Sequence, residues 1–156
     1  MWEGLSAPPV DGRQSETALM IARGVRRLLR AHGFSSLTEL PLTDGRRADI
    51  AAVNRDGEVL IVEIKSSPAD FRADRKWRDY AACCDRLYFA ISEHTPVDLM
   101  PLEAGLIVAD TYGAEIAREA ELKRMAPASR RALLLRFAQT AADRLHRLTD
   151  PAAAPE

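Results

Sequence analysis

Two runs of apolar residues joined by a three-residue loop constrain the fold more than any other part of the chain. The runs span residues 47–54 and 58–65, and Arg55-Asp56-Gly57 lies between them. Gly57 suits the left-handed position of a bulged hairpin turn. Apolar side chains alternate onto both faces of each run, and a strand that is apolar on both faces is usually covered on both. The runs therefore predict a β-hairpin inside a sheet with helices on each side.

The remaining periodicity predicts the elements around this hairpin. Helices are predicted from an N-cap at Ser15 to His32, from an N-cap at Ser67 to about Cys84, and after Pro127. The last helix is expected to point Leu134, Phe137, Ala141, Leu145 and Leu148 inward. Further strands are predicted for residues 37–42, 87–91, 106–109 and 115–117. This order predicts an α/β fold with a mixed sheet and packed helices.

The chain is short enough to form one domain around one core. We assign residues 15–149 to that domain, residues 1–14 to a flexible N-terminal arm and residues 150–156 to a disordered tail. The cysteines are adjacent in sequence, there is no apolar run of about 18 residues, and no export signal is recognised at the start. We therefore expect a cytoplasmic protein without a membrane partner.

The formal net charge of −1 conceals segments of opposite sign. Residues 13–30 contain five arginines and one acid, and residues 123–147 contain seven basic residues and one acid. Between them, residues 88–122 contain seven acids and one base. The total therefore does not exclude a nucleic-acid partner, because arginine forks bind phosphate well. Solvated helix faces remain the alternative interpretation of the basic segments.

The hairpin register brings charged residues together at one end of the two strands. With a three-residue loop, Asn54 faces Glu58 and, by the same register, Asp49 faces Glu63. Directly facing side chains lie about 4.5–5.5 Å apart at Cβ and share a face of the sheet. Lys65 follows Glu63 by two residues and projects to the same face. The register therefore predicts two carboxylates and an ammonium group in one place.

Two facing carboxylates repel each other, and a divalent cation between them would remove that cost. Mg²⁺ binds oxygen ligands, typically one or two carboxylates together with water and phosphate. We therefore predict Mg²⁺ or Mn²⁺ ligands at Asp49, Glu63 and the backbone carbonyl of Ile64, with Lys65 beside them. The alternative is a solvated strand end that carries only a weak ion pair.

Asp49 followed by Glu63-x-Lys65 on the next strand, with a helix before and after, resembles the PD-(D/E)XK nuclease superfamily. The resemblance implies a three-layer α/β/α, restriction-endonuclease-like core and metal-dependent hydrolysis of phosphodiester bonds. It also implies that Asp49 and Glu63 are metal ligands and that Lys65 is the catalytic lysine. Some superfamily members use a glutamate from the first helix, so Glu16 is either a further ligand or a favourable first-turn charge. Glu39 has similar standing.

A wider set of motifs is similar to the MmcB family of bacterial DNA repair proteins. The motifs are Arg47-Ala48-Asp49, Val62-Glu63-Ile64-Lys65-Ser66-Ser67, Asp70-Phe71-x2-Asp74-x-Lys76-Trp77-x2-Tyr80, Leu87-Tyr88-Phe89-Ala90 and Gly105-Leu106-Ile107-Val108-Ala109-Asp110. This resemblance covers about residues 16–148. The predicted phosphate contacts near the site are Arg46, Arg47, Arg72, Arg75 and Lys76. Trp77 and Tyr80, at helical spacing, are interpreted as core residues.

These observations favour a metal-dependent nuclease that acts on DNA in repair, as an endonuclease or an exonuclease. Phosphate contacts position a protein without reading bases, so structure-specific DNA binding is expected. The alternative is a DNA-binding or scaffold protein of a repair complex that retains the fold without cutting. A weaker third interpretation is a nuclease-like fold serving RNA. Other repair proteins as partners and a homodimer both remain open.

Overall fold

The computed structural model describes residues 12–74 and 76–152, except for the side chains of residues 12–15. The described part of the chain forms a six-stranded sheet whose spatial order follows the sequence order. The strands are β1 (Ser35–Pro41), β2 (Arg47–Val53), β3 (Val59–Ile64), β4 (Arg86–Ser92), β5 (Gly105–Ala109) and β6 (Ala114–Arg118). Strands β3, β4 and β5 run parallel, whereas the other neighbouring pairs are antiparallel. The predicted mixed sheet is confirmed.

Helices cover both faces of the sheet. They are α1 (Gly12–Ala31), α2 (Pro68–Ala73) and α3 (Pro127–Thr149), with 3₁₀ segments at Trp77–Cys83 and Val97–Leu99. Helix α1 packs on one face through Ile21, Val25 and Leu29. The opposite face packs against α2, the Trp77–Cys83 segment and α3. This arrangement confirms the predicted α/β class and is consistent with a three-layer core.

Helix α1 lies unusually close to the turn between β5 and β6. A Cβ atom on Gly24 would lie 2.4 Å from the carbonyl oxygen of Gly113 and 2.7 Å from that of Asp110. Only glycine therefore permits this contact without a shift of backbone. The N-cap prediction at Ser15 is wrong, because α1 begins at Gly12 and Ser15 lies within the helix.

The predicted hairpin register is confirmed. Ile50 pairs with Val62 and Val53 pairs with Val59, as a loop of three residues requires. Gly57 has φ +80° and donates its N–H to the carbonyl oxygen of Asn54. The Asn54 side chain also accepts the N–H groups of Asp56 and Glu58, which closes the loop.

The prediction of one helix from Ser67 to about Cys84 is wrong. The N-cap is confirmed, because the Ser67 hydroxyl accepts the Asp70 N–H, but α2 ends after six residues. At Asp74 the backbone leaves the helical region, with φ −85° and ψ 106°. Its carboxylate instead accepts the N–H of Lys76, a local hydrogen bond that competes with helix continuation. The chain resumes as the 3₁₀ segment.

Helix α3 is attached to the sheet by arginines near both of its ends. Arg130 forms a bidentate pair with the buried Asp85 carboxylate, with distances of 2.5 and 2.7 Å. That carboxylate also accepts the N–H groups of Val59 and Met125. Arg144 donates to the backbone carbonyl oxygens of Thr38 and Glu39 in β1.

The inward positions predicted at the end of α3 are wrong. Leu145 is 61% exposed and Leu148 is 82% exposed, although Leu134, Phe137 and Ala141 are half-buried. The apolar spacing continues to the end of the helix, but the sheet does not. Arg144 contacts β1, which is the edge strand, so the residues after it extend beyond the sheet and, in the described part of the chain, have no surface to pack against.

Other predictions fall partly outside the described residues. Most of the predicted arm, residues 1–11, and residues 153–156 of the predicted tail lie there, so the domain boundaries stay predictions. Within the described ranges, none of the helices has the length and apolar character needed to cross a membrane.

Candidate functional site

The candidate site forms where the ladder between β2 and β3 ends. Beyond the Ile50–Val62 pair, backbone N–H groups of the two strands donate to side-chain carboxylates instead of to backbone carbonyl oxygens. The Asp49 carboxylate accepts the N–H of Ile64 at 2.8 Å, and the Glu63 carboxylate accepts the N–H of Asp49 at 3.3 Å. The predicted opposition of these two acids is therefore present, and each carboxylate is held by the opposite strand.

The burial of this pair of acids is unusual, because Glu63 is buried and Asp49 is half-buried. Glu63 is 4% exposed and is paired across β3 and β4 with Phe89, whose ring packs edge-on against Phe71 and Trp77. Burial, followed by the negative charge of Asp49, raises the pKa of Glu63 to about 9. Burial also raises the pKa of Asp49, against the opposing effect of the Ile64 N–H. Without a bound cation, the pair therefore retains a proton near neutral pH.

Lys65 lies beside this pair but makes its ion pair elsewhere. The side chain is buried, and its Nζ donates to Asp74 Oδ2 at 2.6 Å. Within residues 12–74 and 76–152, Asp74 supplies the one carboxylate at ion-pair distance from Lys65. Burial alone would raise the pKa of Asp74, but the hydrogen bond from Lys65 and the N–H of Lys76 hold it below its ordinary value.

Asp74 is a site residue that the strand geometry did not predict. It belongs to the Asp70-Phe71-x2-Asp74-x-Lys76 motif, but the predicted continuous helix did not indicate that Asp74 would lie next to Lys65. The available signal was its ability, as an aspartate two residues before Lys76, to form a local turn. That turn breaks the helix and places the carboxylate next to the ammonium group.

Tyr80 also borders the site. Trp77 is 6% exposed and packs in the core, as predicted. Tyr80 is half-buried, and its hydroxyl donates to the Arg47 carbonyl oxygen at 3.2 Å. Burial, followed by the charges of Glu63 and Asp49, raises the pKa of Tyr80 to about 12. Its interpretation as a core residue is therefore incomplete, because the charges of the acidic pair also act on its hydroxyl.

The basic residues predicted to contact phosphate differ in whether a carboxylate lies close to them. Arg46 pairs with Asp79 at 2.5 Å and lies over the Tyr80 ring at 5.8 Å. Arg47 lies 3.7 Å from Glu39. Two further members of the set, Arg72 and Lys76, are exposed on and after α2. Arg75 lies outside the described residues.

The two additional acids occupy different positions. Glu39 lies across from Asp49 between the register pairs of β1 and β2, and its φ of +51° is uncommon for a residue other than glycine. Glu16 is exposed on α1, which packs on the opposite face of the sheet. Because α1 begins at Gly12, Glu16 is beyond the first turn and the first-turn interpretation fails.

The donor set fits a hard divalent cation that keeps part of its water shell. Among the described residues, no group of three or more His, Cys, Asp or Glu side chains is arranged to hold a metal ion. Two carboxylates suffice for Mg²⁺, which usually retains several waters and is bound through one or two carboxylates plus phosphate. The raised pKa of Glu63 shows that the pair binds a proton tightly, and a divalent cation could occupy the same place as that proton.

This mixed α/β fold carries an acidic pair, the half-buried Asp49 and the buried Glu63, at the end of two strands and a buried lysine beside it. The sequence matches the MmcB-like family, described as DNA repair protein MmcB-like, over residues 6–152. The chain therefore belongs to the MmcB-like family of DNA repair proteins. It is also similar to the solved structure of a protein of unknown function from Silicibacter pomeroyi, with 45% sequence identity and a TM-score of 0.86. That similarity covers 89% of this chain and 95% of the other. A comparison with curated proteins gives no match.

Proposed function

We propose that this protein is a metal-dependent DNA nuclease of the PD-(D/E)XK type that acts in DNA repair. The observation that carries the proposal is that the buried Glu63 and the half-buried Asp49 face each other across two strands, and that among the described residues no lysine or arginine forms an ion pair with either acid. Buried like charges are costly, and strongly perturbed acids in such positions are candidates for functional sites. The membership of the chain in a DNA repair family supports DNA as the substrate.

Asp49, Glu63 and the Ile64 carbonyl would hold Mg²⁺ or Mn²⁺. When bound, such an ion polarises a phosphate and lowers the pKa of a coordinated water. The two strands position both carboxylates before substrate arrives, since each accepts a backbone N–H from the opposite strand. Lys65 places a positive charge beside the site, where it would stabilise charge that develops on a phosphate oxygen.

Exposed basic residues around α2 would orient the DNA backbone. Arg72 and Lys76 are free of close carboxylate partners among the described residues, whereas Arg46 and Arg47 are each near one. Such contacts bind phosphate without reading base sequence. We therefore propose recognition of DNA structure rather than DNA sequence, by the segment that follows the β3 strand.

The second candidate is a DNA-binding or scaffold protein that keeps the fold without cutting. The commitment of the Lys65 ammonium to Asp74 favours it, because that lysine is then not directed at a substrate phosphate. Family membership is compatible with both candidates, since function depends on the geometry of the site rather than on the fold.

Cleavage of DNA separates the two candidates. Purified protein would be mixed with Mn²⁺ and with nicked, branched and single-stranded DNA, beside Lys65→Ala and the exposed control Lys123→Ala. Cleavage by the wild type and Lys123→Ala, and its loss in Lys65→Ala, is the result we expect. DNA binding without cleavage would favour the scaffold candidate. Equal cleavage by wild type and Lys65→Ala would indicate a contaminant and remove the support for a nuclease.

A further inference from the structure

The Lys65 side chain has three carboxylates in its surroundings and contacts one of them. Asp49 and Glu63 both experience its positive charge, which opposes the rise of their pKa values. Its Nζ nevertheless lies 2.6 Å from Asp74, and the described residues show no ion pair between it and the other two acids. Strand geometry alone would direct Lys65 to the face of Glu63, so Asp74 determines where the ammonium group rests.

The local structure around Asp74 is built to hold this position. Asp74 Oδ1 accepts the Lys76 N–H at 2.9 Å, while Oδ2 accepts the Lys65 proton. The Asp74 backbone N–H donates to the Phe71 carbonyl oxygen at the end of α2. Phe71 itself packs edge-on against Phe89, which is adjacent to Glu63 in the sheet. Both the backbone and the side chain of Asp74 are therefore fixed relative to β3 and β4.

The consequence concerns cation binding at the acidic pair. An ammonium group in contact with Asp49 and Glu63 would partly neutralise them and would compete with a dication for the same oxygens. Held by Asp74, the ammonium leaves the carboxylate oxygens of the pair available. We propose that Asp74 is a positioning residue that keeps Lys65 off the Asp49–Glu63 pair and so reserves the pair for a divalent cation. This inference rests on the proposed metal-dependent function.

A double-mutant cycle on Mn²⁺ affinity tests the inference without measuring cleavage. Asp74→Asn removes the charge that holds Lys65 but leaves an oxygen to accept the Lys76 N–H. Lys65→Met removes the ammonium and keeps the apolar stem. The matched control is Asp70→Asn, because Asp70 lies in α2, the helix that Asp74 caps, and accepts a hydrogen bond from the Ser66 hydroxyl rather than from Lys65. Calorimetric titration with Mn²⁺ would be applied to variants whose folding is verified by their melting temperatures.

We expect Asp74→Asn to weaken Mn²⁺ binding on the order of tenfold, because the released ammonium moves onto the acidic pair. In the Lys65→Met background, Asp74→Asn should have no effect, and Asp70→Asn should match the wild type. Asp74→Glu should recover part of the lost affinity. An equal loss from Asp74→Asn with and without Lys65, or no loss at all, would overturn the inference while leaving the metal site intact. Absence of Mn²⁺ binding by the wild type would overturn the proposed function and this inference together.

Discussion

Replacement of Glu63 by glutamine should change how the stability of the protein depends on pH. Glutamine keeps an oxygen that can accept the Asp49 N–H but cannot take up a proton. In the wild type, burial and Asp49 raise the pKa of Glu63 from 4.5 to about 9. Between these values the folded protein holds a proton that the unfolded chain has lost, so the free energy of unfolding falls as pH rises.

The size of the effect follows from proton linkage. One proton bound by the folded state alone makes the free energy of unfolding fall by about 1.4 kcal/mol per pH unit. Over two units, from pH 6 to pH 8, the wild type should lose up to about 3 kcal/mol relative to Glu63→Gln. The proton belongs to the acidic pair as a whole, so this value is an upper bound when Asp49 shares it.

Urea unfolding at pH 6, 7 and 8 measures this difference. The control is Glu115→Gln, at an exposed position on β6, which should follow the wild type at each pH. Millimolar Mn²⁺ should flatten the wild-type slope, because a cation that occupies the pair displaces the proton. Parallel dependences for wild type and Glu63→Gln without metal would refute the reasoning, since they would mean that the folded pair binds no additional proton.

Four further substitutions test the packing that supports the site. Gly24→Ala should lower the free energy of unfolding by about 1–3 kcal/mol, because its methyl group would overlap backbone in the turn before β6. Arg130→Met should cost about 3–5 kcal/mol at pH 7, since it leaves the buried Asp85 carboxylate without its bidentate partner. Leu148→Ala should cost under about 0.5 kcal/mol at its exposed position, whereas Leu133→Ala should cost about 2–5 kcal/mol. Chemical denaturation measures all four variants.

Each of these predictions would be contradicted by a specific measurement. An unchanged stability of Gly24→Ala would mean that the helix can move away from the turn at no cost. The pKa of Asp85 is held low by Arg130, against the effect of burial, so the cost of Arg130→Met should shrink as pH falls through that pKa. A cost that does not change with pH would contradict the role assigned to the pair. A cost of Leu148→Ala similar to that of Leu133→Ala would show that the end of α3 is covered.

The hairpin could be predicted because each of its determinants is local. Loop length, the left-handed Gly57 and alternating apolar residues together set one register, and that register alone brings Asp49 opposite Glu63. The predicted strands differ from the observed ones by no more than two residues at their ends. The acidic pair therefore follows from sequence, whereas its binding of a cation stays a prediction.

The parts that could not be predicted depend on contacts between distant segments. Helical spacing from Ser67 to Cys84 carries no indication that Asp74 leaves the helix to meet Lys65, nine residues earlier and on a different element. Periodicity likewise continues through Leu148, because a sequence pattern does not report where the underlying sheet ends. Both errors arose from extending a local repeat beyond the point at which tertiary structure supports it.

The contact of Arg144 with β1 also covers part of one edge of the sheet. An edge strand presents unpaired carbonyl groups onto which a strand from another molecule can add. On β1, the guanidinium of Arg144 occupies the carbonyl oxygens of Thr38 and Glu39 and places a positive charge there. Intermolecular strand addition at this point would require that arginine to be displaced. The residue that attaches the last helix therefore also occupies two edge carbonyl groups that an added strand would need.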